Sequence, residues 1–375
     1  MGIALDPTLG LPIALAPGYG MRRKGFIFWL LVAAGLLGAF WYRLDWPLVE
    51  ESLRRMHVAL VLLAIVPILM TYLTRALRWR VFLAAVGSPT LGNTLAATVI
   101  GFSTIFALGR IGEATRPLVL SLRERIRPSA TFATILIERI CDMITVAAAF
   151  AVSLFFISSG SREPFSTLKP VGEAALLLSV LSVIGLSVFR FRANGVLNVL
   201  GRRSGGIPER LRRPLLNFLR HLADGLSVLH DVRALARAVA YTLATWGLVA
   251  TSFWLVARAF DLRLTVASVI FVIGFAMVGS LVPTPGGSAG AFHTTTQLGL
   301  MWLGIERNTA ASMALILHAV SFGPALLVSP WFLRRGGFSW ATLRELALAE
   351  VTLAEPPVCE TERGMSARTT GLGRC

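Results

Sequence analysis

Three charged residues stand together inside one long apolar stretch of the sequence. Glu138, Arg139 and Asp142 all fall within the apolar run 131–157. A charged side chain in hydrocarbon costs about 2.5–3.5 kcal/mol on insertion scales unless it pairs or faces water. Glu138 and Asp142 share one face of a helix, with Arg139 one position round. The spacing predicts an intramembrane charge network, which is either a structural ion pair between helices or a substrate or proton site.

A second charged group lies in a glycine-rich turn, Gly-Arg-Ile-Gly-Glu-Ala-Thr-Arg-Pro, over residues 109–117. Glycine allows a tight turn and a close backbone approach. Glu113 and Arg116 have the spacing of a pair across one helical turn. Alternatively, Arg110 and Arg116 can grip a lipid phosphate, because guanidinium forks match phosphate oxygens. A plain cytoplasmic turn carrying arginines is the third interpretation.

A third candidate site is a helix break, Pro-Thr-Pro-Gly-Gly, followed closely by a histidine. Pro283, Pro285, Gly286 and Gly287 form a sequence that no continuous helix tolerates. A helix that begins after such a break presents unpaired N–H groups and a positive dipole end, which suit an anion. The break can also simply shape a hairpin, and His293 can be an ordinary packing residue.

Arginines also end an early apolar run, where Arg75, Arg78 and Arg80 surround Trp79. Arginine and tryptophan at the end of a span are typical of an interfacial anchor. We therefore predict an anchor first and a contact to a lipid head group second, with Arg78 kept among the candidate binding residues.

The composition indicates which elements must position these groups. The 375 residues are 55% hydrophobic and only 15% charged, with a mean hydropathy of +0.70, whereas a globular chain carries about 25% charged residues. The formal charge of +16 concentrates in loops between apolar runs, which indicates the positive-inside rule and argues against a nucleic-acid partner. The chain has no phosphate-binding loop, nucleophile elbow or metal-ligand cluster, so we expect no cofactor, no metal and no enzymatic activity.

Nine apolar segments are long enough to span, or nearly span, a bilayer. They cover residues 26–42, 58–74, 91–108, 131–157, 172–189, 236–260, 264–282, 288–303 and 310–333. We predict an N-terminal extension over 1–24, with Met21 as the favoured translation start, a transmembrane domain over 25–335 and a polar tail over 336–375. Within the domain, residues 190–237 are predicted to form a basic cytoplasmic loop.

That basic loop contains leucines at helical spacing over residues 208–229, with arginines opposite. The pattern predicts an amphipathic helix, which either lies in the membrane interface or packs on the domain as a solvated linker. In the first case the loop would bind anionic phospholipid.

Two segments are predicted to be re-entrant hairpins rather than full spans. Arginines flank residues 91–108 on both sides, so both ends are expected in the cytoplasm. The break at 283–287 divides a stretch whose two ends are both expected outside. Residues 58–157 and 236–333 then share the order span, hairpin, span in opposite orientations. The predicted fold is an all-α polytopic membrane protein with an inverted repeat inferred from topology alone.

Four of these motifs occur in an order that resembles a known family. Arg-Ala-Leu-Arg-Trp-Arg at 75–80, the Gly-Glu-Ala-Thr-Arg core of 109–116, Glu-Arg-Ile-Cys-Asp at 138–142 and Pro-Thr-Pro-Gly-Gly at 283–287 together resemble the lysylphosphatidylglycerol synthase transmembrane-region family, also called flippase-like. The resemblance covers about residues 25–335. It implies a role in moving lipids, such as aminoacylated phospholipids or polyprenyl- and hopanoid-type lipids.

Two departures from the family pattern bear on that implication. The large synthases of the group carry a soluble aminoacyl-transfer domain after the membrane part, and the tail 336–375 is too short to fold as one. Members often carry a glutamate soon after the Pro-Gly-Gly break, where this sequence has Phe292 and His293. Either His293 replaces that acid or the function of this site has shifted.

The sequence favours a lipid transporter or flippase in the cell inner or plasma membrane, with both termini cytoplasmic. In this hypothesis Arg110, Arg116 and the helix after Gly287 bind a phosphate, and neutralising Arg116 stops lipid movement without unfolding the protein. The alternative is a membrane scaffold or accessory subunit that binds a lipid- or glycan-modifying partner enzyme through residues 190–237. A membrane-embedded enzyme using Glu138, Asp142 and His293 is the least favoured, because no spacing compels those groups to converge.

Overall fold

The structure, a computed structural model, describes residues 23–42, 44–158, 168–203, 209–226, 228 and 231–336. Within these ranges the chain is helical and contains no strand. The predicted all-α fold of a polytopic membrane protein is therefore confirmed. Most of the N-terminal extension 1–24 and the tail 336–375 lie outside the described residues.

Twelve helices form the described part of the chain. They are α1 (Arg23–Tyr42), α2 (Trp46–Arg55), α3 (Val58–Leu83), α4 (Leu91–Leu108), α5 (Thr115–Glu124), α6 (Pro128–Ser158), α7 (Lys169–Arg203), α8 (Glu209–Gly225), α9 (Val232–Ala259), α10 (Val266–Ser280), α11 (Ala291–Trp302) and α12 (Arg307–Gly336). A 3-10 turn, Gly109–Ala114, joins α4 to α5, and a short turn, Pro285–Ser288, lies between α10 and α11.

Five of these helices are long and apolar enough to cross a membrane, namely α3, α6, α7, α9 and α12. A sixth crossing is formed if α1 and α2, which are bent by 86° at their junction, count as one broken span. The apolar segments 91–108 and 264–282 form shorter helices, as the hairpin prediction requires. These lengths and compositions agree with a protein that crosses the membrane several times.

The predicted basic loop 190–237 is more helical than expected. Helix α7 continues to Arg203, so the first part of the region extends a span, and the predicted amphipathic helix is α8. Ala223 on α8 and Leu226 just after it are buried, and His221 Nδ1 lies 3.0 Å from Ser129 Oγ at the start of α6. The C-terminal half of α8 therefore packs on the domain, while both predicted arrangements, in the membrane interface or as a solvated linker, stay predictions.

The same order of elements occurs twice along the chain. The first half is α3, the first broken hairpin (residues 91–124) and α6; the second half is α9, the second broken hairpin (residues 266–302) and α12. Helices α3 and α9 pack along each other, while α6 contacts α10 and α12 contacts α4. Each half thus packs its last helix against the hairpin of the other half, so neither half buries its apolar surface alone.

The two hairpin breaks meet in the interior. Gly109 ends α4 with a positive φ of 69°, and a Cβ atom there would lie 2.9 Å from the carbonyl oxygen of Thr284. The second break is formed by Gly286 and Gly287, which also have positive φ. Glycine accepts both the left-handed backbone and the close approach. The non-helical backbone of each half therefore contacts the other half.

Glu124 at the end of α5 is hydrogen-bonded to the start of α4, so the two ends of the first broken hairpin are joined. Its Oε1 accepts hydrogen bonds from Thr90 N at 2.9 Å and from Asn93 Nδ2 at 2.8 Å, both at the start of α4. Burial acts to raise the pKa of Glu124, but the hydrogen bonds from Asn93 and Thr90 outweigh it and lower that pKa below its usual value. The Glu124 carboxylate thus joins the end of α5 to the start of α4, where Thr90 is the N-cap.

Candidate functional site: a charged cavity between the two halves

Helix α3 directs Arg78 into the centre of the molecule, where the side chain is fully buried. Its Nη1 and Nη2 donate to Asp142 Oδ1 at 2.6 Å and Asp142 Oδ2 at 3.1 Å. The same guanidinium lies 3.2 Å from Glu138 Oε1 and donates to Thr242 Oγ1 at 3.2 Å. A bidentate arginine–carboxylate pair of this kind is strong and directional.

A second bidentate pair joins Arg116 on α5 to Glu138 on α6. Arg116 Nη1 and Nη2 donate to Glu138 Oε1 at 2.7 Å and Oε2 at 3.1 Å. The guanidinium also lies over the ring of Trp79, 4.3 Å from its centroid. Arg116 is 3% exposed and Glu138 is fully buried. We call Arg78–Asp142 and Arg116–Glu138 the locked pairs.

The locked pairs change two sequence expectations. The Arg116 guanidinium was predicted to bind a lipid phosphate, but both of its terminal nitrogens donate to Glu138. Arg116 also does not pair with Glu113, which its spacing had suggested. Glu113 instead lies 3.2 Å from Arg139 Nε. The two residues have competing partners on α6, because Glu138 takes both terminal nitrogens of Arg116 and Arg139 lies beside Glu113. Arg116 thus has the surroundings of a structural residue.

Arg139 extends the predicted charge network. Its Nη2 donates to Glu138 Oε1 at 2.6 Å and lies 3.4 Å from Asp142 Oδ2. The expected proximity of Glu138, Arg139 and Asp142 is therefore present. The arginines of α3 and α5 join that network from outside α6, which the sequence of α6 alone did not reveal.

Arg75, one turn before Arg78 on α3, was predicted to be an anchor first and a head-group contact second, and only Arg78 of that group was a candidate binding residue. Arg75 is only 7% exposed, which does not suit the anchor. Its Nη1 lies 3.5 Å from Asp142 Oδ2, and its guanidinium carbon lies 5.1 Å from the Phe102 ring centroid and 5.8 Å from that of Trp246. The signal in the sequence was its spacing from Arg78, which places both on one helix face.

A cavity of about 160 Å³ lies between the two halves, with the charged groups at one end. Arg75, Glu113, Arg139 and Asp142 form that end; we call Arg75, Glu113 and Arg139 the cavity rim. The remaining wall is mostly apolar and aromatic, and comes from both halves. It includes Ile68, Tyr72, Phe102, Trp246, Val249, Phe253, Ile273, Ala276, Met277, Phe292 and Phe322. One site therefore offers charge at one end and hydrocarbon-like surface at the other.

The charges at this site do not balance among the described side chains. Four guanidinium groups face three carboxylates through contacts within 4 Å, so one positive charge is left over. The groups are Arg75, Arg78, Arg116 and Arg139 against Glu113, Glu138 and Asp142. A surplus charge in a water-poor interior is costly unless a ligand neutralises it.

The residues predicted as a site at the second break do not line the cavity, but residues close to them in the sequence do. Ser288 and Phe292 line it, whereas Pro283, Pro285, Gly286, Gly287 and His293 are not among its lining residues. His293 packs against His318 and Phe40, with ring centroids 4.5 Å and 5.4 Å away. At Gly290, just before α11, a Cβ atom would lie 2.9 Å from Leu36 Cβ of α1. Helix α1 thus covers the helix start that was expected to bind an anion.

Arg110 lies in the 3-10 turn, and its side chain is outside the described part of the chain. Among the described residues, no group of three or more His, Cys, Asp or Glu side chains is arranged to hold a metal ion. The described lining of the cavity thus consists of guanidinium, carboxylate, hydroxyl and apolar groups.

Comparison with known proteins gives one clear match. The family model described as lysylphosphatidylglycerol synthase TM region matches residues 26–329, which is most of the chain and includes every residue of the cavity. A sequence comparison with curated proteins finds no match.

Proposed function

The chain belongs to the lysylphosphatidylglycerol synthase transmembrane-region family, and on that premise we propose that it binds and moves a membrane lipid with an anionic head group. The central cavity is the observation that carries this proposal. The charge network that forms one end of it has, among the described side chains, one guanidinium more than it has carboxylates, and its apolar wall is built from both halves of the molecule.

The chemistry of the cavity favours a lipid over a water-soluble anion. A soluble anion needs only the charged end, whereas the aromatic and aliphatic wall favours a ligand with hydrocarbon next to its charge. A volume of about 160 Å³ suits a head group or the end of a chain, and a whole phospholipid is larger. The acyl chains would extend from the cavity between the helices into the bilayer.

The two broken hairpins supply a route for such a lipid in this proposal. Non-helical backbone at membrane depth is tolerated where it is enclosed by protein or lines a cavity. The contact between Gly109 and Thr284 supports two re-entrant hairpins whose tips meet near the middle of the bilayer. Opposed broken helices around a central site are the arrangement of several secondary transporters, in which one half moves against the other.

We place the protein in the cell inner or plasma membrane with both termini in the cytoplasm, on the basis of its arginine-rich segments. In this orientation the basic region 190–237 faces the cytoplasm, where it would attract anionic phospholipid. We propose no chemical reaction for this chain, so the lipid would be made or consumed by a separate enzyme.

Reconstitution into liposomes tests the proposal. Fluorescent phosphatidylglycerol is placed in both leaflets, and an outer-leaflet quencher reports lipid exchange. Met277→Trp narrows the cavity from α10, whereas Val278→Trp adds the same side chain next to it at a position 60% exposed on the outer surface. We expect Met277→Trp to slow protein-dependent exchange by about tenfold, equivalent to about 1.4 kcal/mol in the barrier.

The control variant should exchange lipid at the wild-type rate. Absence of exchange with wild-type protein for anionic, aminoacylated and polyprenyl lipids alike would contradict transport. Equal slowing by Met277→Trp and Val278→Trp would contradict the assignment of the path to the cavity.

A further inference from the structure

We propose that Arg75 is the head-group-binding residue of the cavity and that its ligand is the single negative charge of a lipid phosphodiester. This inference rests on the proposed function and specifies the chemistry of its site. It concerns a residue whose position at the end of an apolar run indicated an anchor, and whose burial indicates another role.

The hydrogen-bonding capacity of Arg75 is the first argument. Both terminal amino groups of Arg78, and both of Arg116, donate to carboxylate oxygens at 3.1 Å or less. The Nε atoms of all three arginines are buried without a hydrogen-bond partner, but only Arg75 also has a terminal nitrogen, Nη1, in that state, and the 3.5 Å from Nη1 to Asp142 Oδ2 makes only a loose ion pair. A buried N–H donor without an acceptor destabilises the protein. A ligand oxygen that accepts a hydrogen bond from it removes that cost, and this favours binding.

The charge balance is the second argument. Without Arg75, the remaining Arg78, Arg116 and Arg139 face Glu113, Glu138 and Asp142, three cations against three anions. Asp142 already receives the fork of Arg78 and lies 3.4 Å from Arg139. Arg75 therefore is not needed to neutralise Asp142. One phosphodiester carries one negative charge at neutral pH and would balance the described groups of this network.

The surroundings of the guanidinium are the third argument. Phe102 and Trp246 lie within 6 Å of it, from two different helices, and both line the cavity. Aromatic rings hold a guanidinium in place by cation–π attraction without using its N–H donors. Arg75 is thus positioned in advance while its donors remain for a ligand, and the apolar wall next to it can hold the glycerol end of an acyl chain.

Native mass spectrometry of the full chain in detergent tests this assignment, because it reports lipid binding independently of transport. The probes are phosphatidylglycerol, zwitterionic phosphatidylcholine and the soluble head group glycerophosphoglycerol. The variants are Arg75→Gln and Arg75→Lys, with Arg258→Gln as the matched control. Arg258 also lies by a tryptophan, 6.0 Å from the Trp254 ring, but is not among the lining residues of the cavity.

We expect wild-type protein to prefer phosphatidylglycerol over phosphatidylcholine. Arg75→Gln should weaken phosphatidylglycerol binding by about tenfold to a hundredfold, the range for hydrogen bonds to a charged group, and should remove the preference. Arg75→Lys should bind phosphatidylglycerol more tightly than Arg75→Gln but less tightly than the wild type, because an ammonium keeps the positive charge but lacks the bidentate geometry of a guanidinium. Arg258→Gln should behave like the wild type.

Three results would overturn the assignment. They are unchanged phosphatidylglycerol binding in Arg75→Gln, equal losses in Arg75→Gln and Arg258→Gln, and glycerophosphoglycerol binding as tightly as the lipid. Failure of the proposed function is separable from these results. Lipid binding that depends on Arg75, in a protein that exchanges no lipid in liposomes, would leave the binding site in place and remove transport.

Discussion

Arg78 and Arg75 lie one turn apart on the same helix and face the same carboxylate, yet their surroundings differ. Arg78 belongs to the locked pairs, where both amino groups are used and no exposed surface is left. Arg75 belongs to the cavity rim, where the terminal Nη1 has no hydrogen-bond partner, Asp142 is 3.5 Å away, and two aromatic rings are its other neighbours. A charged residue inside a membrane protein is therefore not a binding residue by virtue of its charge alone. What distinguishes Arg75 is charge and hydrogen-bonding capacity beyond what the protein itself satisfies.

Removing a locked pair should have the largest effect. Arg116→Gln leaves Glu138 buried with fewer donors, and loss of one partner from a buried pair costs about 3–5 kcal/mol of stability. Thermal unfolding in detergent should show a large drop in midpoint. Arg335→Gln, which removes an arginine lying 4.1 Å from the Trp331 ring near the end of α12, should change stability by less than about 1 kcal/mol. Similar midpoints for the two variants would remove the structural role given to Arg116.

Replacing a tryptophan should also cost more stability beside the locked pairs than at the cavity, although both losses should be smaller than that of Arg116→Gln. Trp79 is fully buried under Arg116 and donates from Nε1 to Thr134 Oγ1 at 3.0 Å, so Trp79→Phe should destabilise the protein by about 1–3 kcal/mol. Trp246 lines the cavity and donates to Asp142 Oδ1 at 3.2 Å. Because Asp142 keeps its bonds from Arg78, Trp246→Phe should cost less stability in the same unfolding measurement. A larger loss for Trp246→Phe would reverse the comparison.

Glu113 tests whether charge balance at the rim governs binding. Glu113→Gln removes one carboxylate and raises the surplus positive charge from one to two among the described groups. Binding of phosphatidylglycerol should tighten by about threefold to tenfold, the effect of one charge about 6–12 Å away at an effective dielectric constant of about 40, between the values for protein and water. Native mass spectrometry against phosphatidylcholine measures this change. An unchanged or weaker preference for the anionic lipid would contradict the charge account.

The smallest expected change in stability is the most informative one. Arg75→Gln removes a surplus charge and leaves the locked pairs intact, so its unfolding free energy should stay within about 0.5 kcal/mol of the wild type or rise slightly. Functional residues often carry such a stability cost in the free protein. A loss as large as that of Arg116→Gln, in thermal unfolding under the same conditions, would place Arg75 among the structural arginines.

Much of the fold could be predicted from the sequence, because apolar run length and arginine position report on the bilayer directly. The spans, the short helices 91–108 and 264–282 and the helix break at 283–287 were all expected on these grounds. The extension of α7 to Arg203 was not, because its last part is polar and resembles a loop. Only part of the charge network was predicted. Glu138 and Asp142 can be recognised because they lie in an apolar run, whereas their arginine partners lie on α3 and α5, and the sequence does not show that these helices pack against α6.

The missed and misassigned residues share one physical cause, which is tertiary packing. Arg75 looks like an anchor because it ends an apolar run, and only the rings of Phe102 and Trp246 from other helices reveal its enclosure. His293 looks like a candidate ligand because it follows a break, and only α1 and His318 reveal it as a packing residue. Local spacing cannot report which helix lies opposite.

Site-specific crosslinking in native membranes tests the central claim that this cavity holds an anionic lipid. A photoreactive side chain is placed at Met277, which lines the cavity, or at the adjacent Val278, which is 60% exposed on the outer surface, and the captured lipids are identified by mass spectrometry. We predict that Met277 captures anionic phospholipid well above its share of the membrane, while Val278 captures lipids in proportion to their abundance. The same lipid composition at both positions would contradict the account.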